Sequence, residues 1–301
     1  VTDGLVSGLI VHAQSGLFDV ETEAGSLTAE LRGRLKHERL DTDVAALGDR
    51  VQVRDLGDGR GVIEQVEPRQ SVLSRRTPMG DREQVIVANP DQAVFVFACR
   101  DPEINPRMLD RLLVAAERED IPSIVCLNKL DLAQGDDCRQ LMSPYQRIGY
   151  EVHLVSAQAG TGIDDLRAAL VGRISVFAGP SGVGKTSLLN TIQPGLALRT
   201  GEIRQQTRKG KHTTVSLKLV PLYGGGYVAD TPGMKAFALW DIEPEELDAY
   251  FPEISQRVAD CSFSDCSHLH EPGCAVLAAV ESGEISAGRY DSYQRMRLGE
   301  D

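Results

Sequence analysis

Residues 179–187 read Gly179-Pro180-Ser181-Gly182-Val183-Gly184-Lys185-Thr186-Ser187. Glycines at this spacing let the backbone turn its N–H groups inward to cradle phosphate oxygens. Strand-like ISVFA precedes the loop and helix-like TSLLNTI follows it, so the cradle falls at a helix N-terminus. Lys185 would reach the β- and γ-phosphates, and the Thr186 hydroxyl would ligate Mg2+. This loop alone does not choose between ATP and GTP. Asn128-Lys129-Leu130-Asp131, after strand-like IVCL, makes that choice. Guanine presents an N1–H and an exocyclic amine side by side, and one carboxylate, Asp131, can accept both. Adenine presents an acceptor at N1 instead, and a buried polar group left unpaired costs about 1–3 kcal/mol. Asn128 can bond the other edge of the base, while the Lys129 stem packs over the ring.

Three further runs complete a nucleotide-handling set. VSAQ contains Ser156 and Ala157, and the Ala157 N–H is placed to meet the guanine oxygen. DTPG, after strand-like GYVA, offers Asp230 to hold Mg2+ through water and the Gly233 N–H for the γ-phosphate. KGKHTT supplies a γ-phosphate-sensing threonine, either Thr213 or Thr214. In Ras-like enzymes a glutamine just after the DxxG motif orients the attacking water; Met234 stands there and cannot. His212 is the chain's own alternative, with contact to RNA or solvent as its other reading. The order is also informative, because the base reader precedes the phosphate loop by about fifty residues. That is the Ras-like order cut after the DTPG strand and rejoined elsewhere, a circular permutation that keeps the groups together in space.

The elements that must position these groups follow from patterning. A chain of 301 residues, 42% hydrophobic and 25% charged, is long enough for two or three domains with ample core. Its longest apolar runs are too short to span a bilayer. The N-terminus lacks the basic start of a signal peptide, so a cytoplasmic protein without membrane association is expected. A net charge of −12 argues against non-specific nucleic-acid binding by the whole surface, though Arg32, Arg34, Lys36 and Arg39 form a local basic cluster. That cluster is either an RNA contact or an ordinary solvated strand edge.

Residues 1–67 hold five short alternating runs between turn signals, which predicts a small closed barrel of the oligonucleotide-binding kind, with an SH3-like barrel as competitor. Residues 68–238 form the next domain. It opens with a connector over 68–90 and continues as strands alternating with amphipathic helices, the pattern of a parallel α/β sheet. Residues 239–301 read as short helices around a cysteine-rich loop. Within that loop Cys261, Cys266, His268 and Cys274 stand as C-x4-C-x-H-x5-C, a closed tetrahedral set for one structural zinc. Spacing alone leaves His270 as a rival fourth ligand. Cys99, Cys126 and Cys138 read as buried free thiols.

Taken together, these runs resemble the RsgA (YjeQ) family of circularly permuted GTPases over nearly the whole chain. The resemblance implies an RNA-binding N-terminal barrel, GTP hydrolysis to GDP with Mg2+, and late maturation of the small ribosomal subunit, with its rRNA as partner. It also implies stimulation of the GTPase by that subunit. It favours His268 as the zinc ligand and points to His212 for positioning water. A monomer is expected. The competing reading from another class is a GTP-gated RNA-binding module whose turnover is incidental.

Overall fold

Alternating apolar and polar residues in the first part of the chain form five strands: β1 (Leu5–Gln14), β2 (Leu17–Thr22), β3 (Gly25–Leu31), β4 (Arg50–Asp55) and β5 (Arg60–Val66). The computed structural model describes residues 4–36, 42–76, 83–195, 217–230 and 242–300. The strands run in the order β1-β2-β3-β5-β4, and a β1–β4 pairing closes them into a barrel. Every second residue points inward, so Ile10, Phe18, Val20, Val51, Val53 and Ile63 fill the interior. A short helix, α1 (Gly33–Lys36), follows β3. From the basic cluster, Arg32 pairs with Glu64 at 2.5 Å on the barrel surface.

The stretch read as a connector holds an antiparallel hairpin, β6 (Val72–Arg76) with β7 (Glu83–Ala88). The sequence pattern missed it because SRRTPMGD, whose first three residues end β6, reads as turn chemistry throughout. Asp49 fastens this region to the barrel. Its fully buried carboxylate accepts the Ala46 N–H at 2.7 Å and two Arg69 bonds, both at 2.8 Å.

The central sheet comprises β8 (Gln92–Ala98), β9 (Ser123–Asn128), β10 (Glu151–Leu154), β11 (Ile174–Ala178), β12 (Leu217–Pro221) and β13 (Tyr227–Asp230). Its order is β10-β9-β8-β11-β13-β12, parallel except for β12. Because side chains alternate across a strand, Phe95 and Phe97 face one layer and Val94 and Val96 the other. Helices α2 (Pro106–Arg118) and α3 (Asp137–Arg147) cover the first face. Helices α4 (Ile163–Leu170) and α5 (Lys185–Ile192) cover the second. Full burial of each such aromatic or aliphatic side chain contributes about 1.5–3 kcal/mol.

The sheet does not stop at β12. Its partner is β1 of the barrel, with His12 opposite Lys218 and Ala13 opposite Leu217, so barrel and central sheet form one continuous ladder. Beyond residue 241 the chain forms a 3-10 turn (Pro244–Tyr250), α6 (Pro252–Ser255), α7 (Ala275–Glu281) and α8 (Ala287–Leu298). Phe251, Ile254, Val276 and Tyr293 make a small core there that also takes in Val114 of α2.

Removing one partner of a buried ion pair leaves the other charge uncompensated. Asp49→Ala is therefore expected to cost about 3–5 kcal/mol, read as a lowered thermal-unfolding midpoint. An unchanged midpoint would mean that Asp49 does not hold barrel and hairpin together.

Candidate nucleotide site and metal centre

The phosphate-loop sequence connects β11 to α5 on the second face of the sheet, while the neighbouring strand β8 leads to α2 on the first face. Ligands bind beyond the carboxyl ends of parallel strands at such a reversal. Gly179, at φ 148°, passes directly over β8: a Cβ there would lie 2.0 Å from the Val96 carbonyl oxygen. A Cβ on Gly184, at φ 90°, would lie 2.6 Å from Nδ2 of Asn128. Only glycine fits both positions. Ser181, Gly182 and Ser187 are exposed, Pro180 and Thr186 are half-buried, and Val183 anchors the loop in the core. Lys185 arches back, its Nζ donating to the Gly179 and Pro180 carbonyls at 2.7 Å each, and burial lowers its pKa.

Asn128 closes β9 and is 2% exposed. Its Nδ2 donates to the Val183 carbonyl at 2.9 Å, and its Oδ1 accepts the Ala157 N–H at 3.0 Å. One carboxamide thus joins three loops: base reader, phosphate loop and Ser156-Ala157 loop. The two groups expected to meet the base on their own account, Asn128 and the Ala157 N–H, are bonded to each other. Asp131 is exposed, and one of its oxygens accepts a short hydrogen bond from Ser156 Oγ. The same Oγ accepts the Ala159 N–H at 3.0 Å, while Leu130 N donates to the Val155 carbonyl at 3.0 Å. Thr191 Oγ1 of α5 donates to the Ala157 carbonyl at 3.2 Å.

Lys129 adopts a left-handed backbone, φ 61°, and its Nζ donates to the backbone carbonyl of Asp101. Motif reading missed that contact, because any residue carries a carbonyl. Asp230 ends β13, opposite Lys218 and beside β11, so DTPG begins at the same sheet end as the phosphate loop. His212, Thr213, Thr214, Gly233 and Met234 lie outside the described residues.

The second cluster lies in the C-terminal module. Ligand atoms of Cys261, Cys266, His268 and Cys274 all fall within 4.8 Å of one another. Cys261 Sγ is 3.9 Å from Cys274 Sγ and 3.6 Å from His268 Nδ1, and Cys274 Sγ is 3.4 Å from that nitrogen. Donors on a tetrahedron with zinc–sulfur bonds of 2.3 Å stand about 3.8 Å apart, so this set fits zinc. His268 is fully buried, with Nε2 3.5 Å from the Asp248 carboxylate; His270 is exposed. The ligand loop is braced from two sides. Tyr290 and Tyr293 of α8 donate to the His268 and Ser267 carbonyls at 2.6 and 2.9 Å. Glu271 accepts the Ser267, Leu269 and His270 N–H groups at 2.9, 3.1 and 3.2 Å. Burial disfavours the Glu271 charge, but the hydrogen bond from the Ser267 hydroxyl, with backbone N–H bonds from Ser267, Glu271 and His270, outweighs it and holds the carboxyl well below the usual carboxylate range.

A barrel, a parallel sheet with permuted nucleotide-binding loops and a Cys3His module define a circularly permuted GTPase with flanking domains. Comparison with known proteins identifies its kind. The RsgA GTPase model matches residues 66–240, and the RsgA N-terminal domain model matches residues 7–63. The Small ribosomal subunit biogenesis GTPase RsgA of Gemmatimonas aurantiaca is 43% identical over 295 residues, covering 97% of this chain and 96% of its own. The protein of the same name from Moorella thermoacetica is 44% identical over 288 residues, covering 96% and 95%. Among solved structures, YjeQ from Thermotoga maritima superposes with a TM-score of 0.84 at 38% identity over 98% of both chains. YloQ, described as a circularly permuted GTPase, superposes at 0.79 with 33% identity over 99% of this chain and 96% of its own. The chain belongs to the RsgA GTPase family, and it is a GTP-hydrolysing enzyme.

The metal assignment separates the two histidines. His268→Ala is expected to lose bound zinc, and His270→Ala to keep it, measured as metal content of the purified full-length chain. The reverse pattern would give the fourth position to His270.

Proposed function

We propose that this protein acts in late maturation of the small ribosomal subunit, hydrolysing GTP in response to that subunit and coupling turnover to binding and release of rRNA. The observation that carries the nucleotide part is the three-loop junction at Asn128. Around it, Asp131 takes the guanine N1–H and amine, steadied by Ser156. Asn128 keeps one of its two Nδ2 hydrogens for the base. Leu130 ties the reader to the Ser156 strand end, and the Lys129 stem covers the ring. Gly179 through Ser187 cradle the phosphates, with Lys185 swinging from its own loop carbonyls to the β- and γ-oxygens. Mg2+, when bound, would neutralise phosphate charge; Thr186, Asp230 and Thr213 or Thr214 are the residues to hold it, and the Gly233 N–H is assigned to the γ-phosphate.

The ribosomal part is supported by the relatives' name, Small ribosomal subunit biogenesis GTPase, and by the five-stranded barrel, an architecture suited to oligonucleotides. The barrel shares its ladder with β12, the strand between the Thr213/Thr214 run and Asp230, so rRNA contacts there bear on the nucleotide loops. Met234 leaves the usual water-orienting position without a polar group; His212 or a group on the ribosome fills that role. The zinc module is structural, with all four ligand positions taken by protein. No helix among the described residues is long and apolar enough to cross a membrane.

Asp131→Asn should weaken GTP binding more than tenfold and shift preference to xanthosine triphosphate, whose base offers the complementary acceptor. Undiminished GTP affinity would remove Asp131 from the base site. Mature small subunits should raise the GTPase rate at least tenfold, about 1.4 kcal/mol off the barrier. Large subunits should not, and the effect should shrink as salt rises because phosphate contacts are screened. Equal turnover with and without small subunits at low salt would favour instead a GTP-gated RNA binder.

A further inference from the structure

Arg289 of α8 is 2% exposed and has no place among the phosphate-loop, base-reading or zinc residues. Its Nη1 donates to Asp110 of α2 at 2.7 Å, and its Nε and Nη2 donate to Glu253 at 2.7 and 3.2 Å. Its guanidinium also lies 4.6 Å from the centre of the Phe251 ring. Asp110 is fully buried and accepts two more bonds, from Tyr145 at 2.8 Å and Ser292 at 2.5 Å. Burial raises the Asp110 pKa, and Arg289 opposes that rise. The α2 face so engaged is one stripe, with Arg107 bonded to Asp291 at 3.0 Å on one side and Val114 in the module's core on the other. Buried ion pairs often add no more stability than well-packed apolar residues of the same volume. What fixed, directional bonds add is geometry.

The geometry leads to the nucleotide. Asp110 lies four residues after Pro106, about 6 Å along the helix axis. The Asn105 side chain caps α2 by accepting the Met108 N–H at 3.3 Å. The loop running from β8 into that cap bonds the base reader and lies beside the phosphate loop. The carbonyl of Asp101, held by a left-handed backbone at φ 49°, receives the Lys129 ammonium. Pro102 faces Gly182 of the phosphate loop, its Cδ 3.9 Å from where a Cβ would stand. The Arg100–Asp137 ion pair, 2.9 Å, staples the same loop to α3 just past the base reader.

We propose that Arg289 is a positioning residue for guanine-nucleotide binding: by fixing α2 against the zinc module it sets the Arg100–Asn105 loop, and that loop holds Lys129 where the base binds. The proposal rests on the assignment of Lys129 to the base. It makes the docked state of the C-terminal module an input to nucleotide affinity through described contacts alone.

A double-mutant cycle on the full-length chain tests it, with GDP as probe and zinc content and unfolding midpoint measured alongside. Arg289→Lys, which keeps the charge but loses the fork, should raise the Kd for GDP by about fivefold with zinc retained. In a Lys129→Ala background the same substitution should change the Kd by less than about twofold, because the group it positions is gone. A merely structural Arg289 would weaken binding equally in both backgrounds, and that result overturns the proposal. Unchanged affinity in Arg289→Lys overturns it as well. If Lys129→Ala alone leaves GDP binding unchanged, the assignment of Lys129 to the base fails first and the proposal with it. Should Arg289→Lys not fold, the isosteric Asp110→Asn runs the same cycle from the other side of the bond.

Discussion

The buried carboxamide of Asn128 is the bond on which the nucleotide site depends. It gives a proton to the Val183 carbonyl and takes one from the Ala157 N–H, so three loops share one rigid group. Few side chains of this size donate and accept at once. A leucine here would leave both backbone groups unpaired, at about 1–3 kcal/mol each, and an aspartate would lose the donor. Gly184 completes the fit, since any side chain there would collide with the amide. The junction explains why the permuted order does no harm. Each loop is delivered by the carboxyl end of its own strand, and the strands are ordered by pairing across the sheet, not by position in the chain.

Where the permutation does matter is in what the new connections reach. The Thr213/Thr214 run leads into β12, whose Lys218 stands between His12 of the barrel and Asp230 of DTPG in one row of the sheet. Backbone pairing fixes register, so β1, β12 and β13 are tied together in one ladder. On the other side, the chain leaving DTPG builds the module that settles on α2. Both flanking domains are therefore joined to the central domain through elements whose ends lie at the sheet end that carries the motif loops.

The two joints differ in kind. The barrel is joined by strand pairing and by the Tyr227–Glu21 hydrogen bond, 2.5 Å, at the sheet end away from the nucleotide. The C-terminal module is joined by a buried arginine between two carboxylates, with Val114 filling the apolar remainder. Desolvating three charges is costly, and only the full set of hydrogen bonds recovers the cost. Such a joint tolerates little sliding. The Cys3His loop is bonded to α8 through Tyr290 and Tyr293, so loop, helix and α2 form one braced unit.

The five barrel strands, the helix–strand alternation, the phosphate loop and the Cys3His set were all legible in the sequence, because each rests on local physics. Period-two alternation buries one face of a strand, glycines permit positive φ, and thiolates with an imidazole at short spacing converge on one ion. The preference for Asp131 over an adenine-reading group follows likewise from hydrogen-bond chemistry in four residues. The tertiary structure alone decided the rest. It set His268 apart from His270 by burying one ring beside the three cysteines and exposing the other. It paired β1 with β12, a long-range register that no local pattern encodes, and folded a hairpin where turn residues read as a connector. It bonded Lys129 to a backbone carbonyl, a group every residue carries. Asp110 did leave a trace in the sequence, as an acid within the apolar stripe of α2 beside Leu109 and Leu113. Its partner is 179 residues away along the chain, and only packing could bring Arg289 to it.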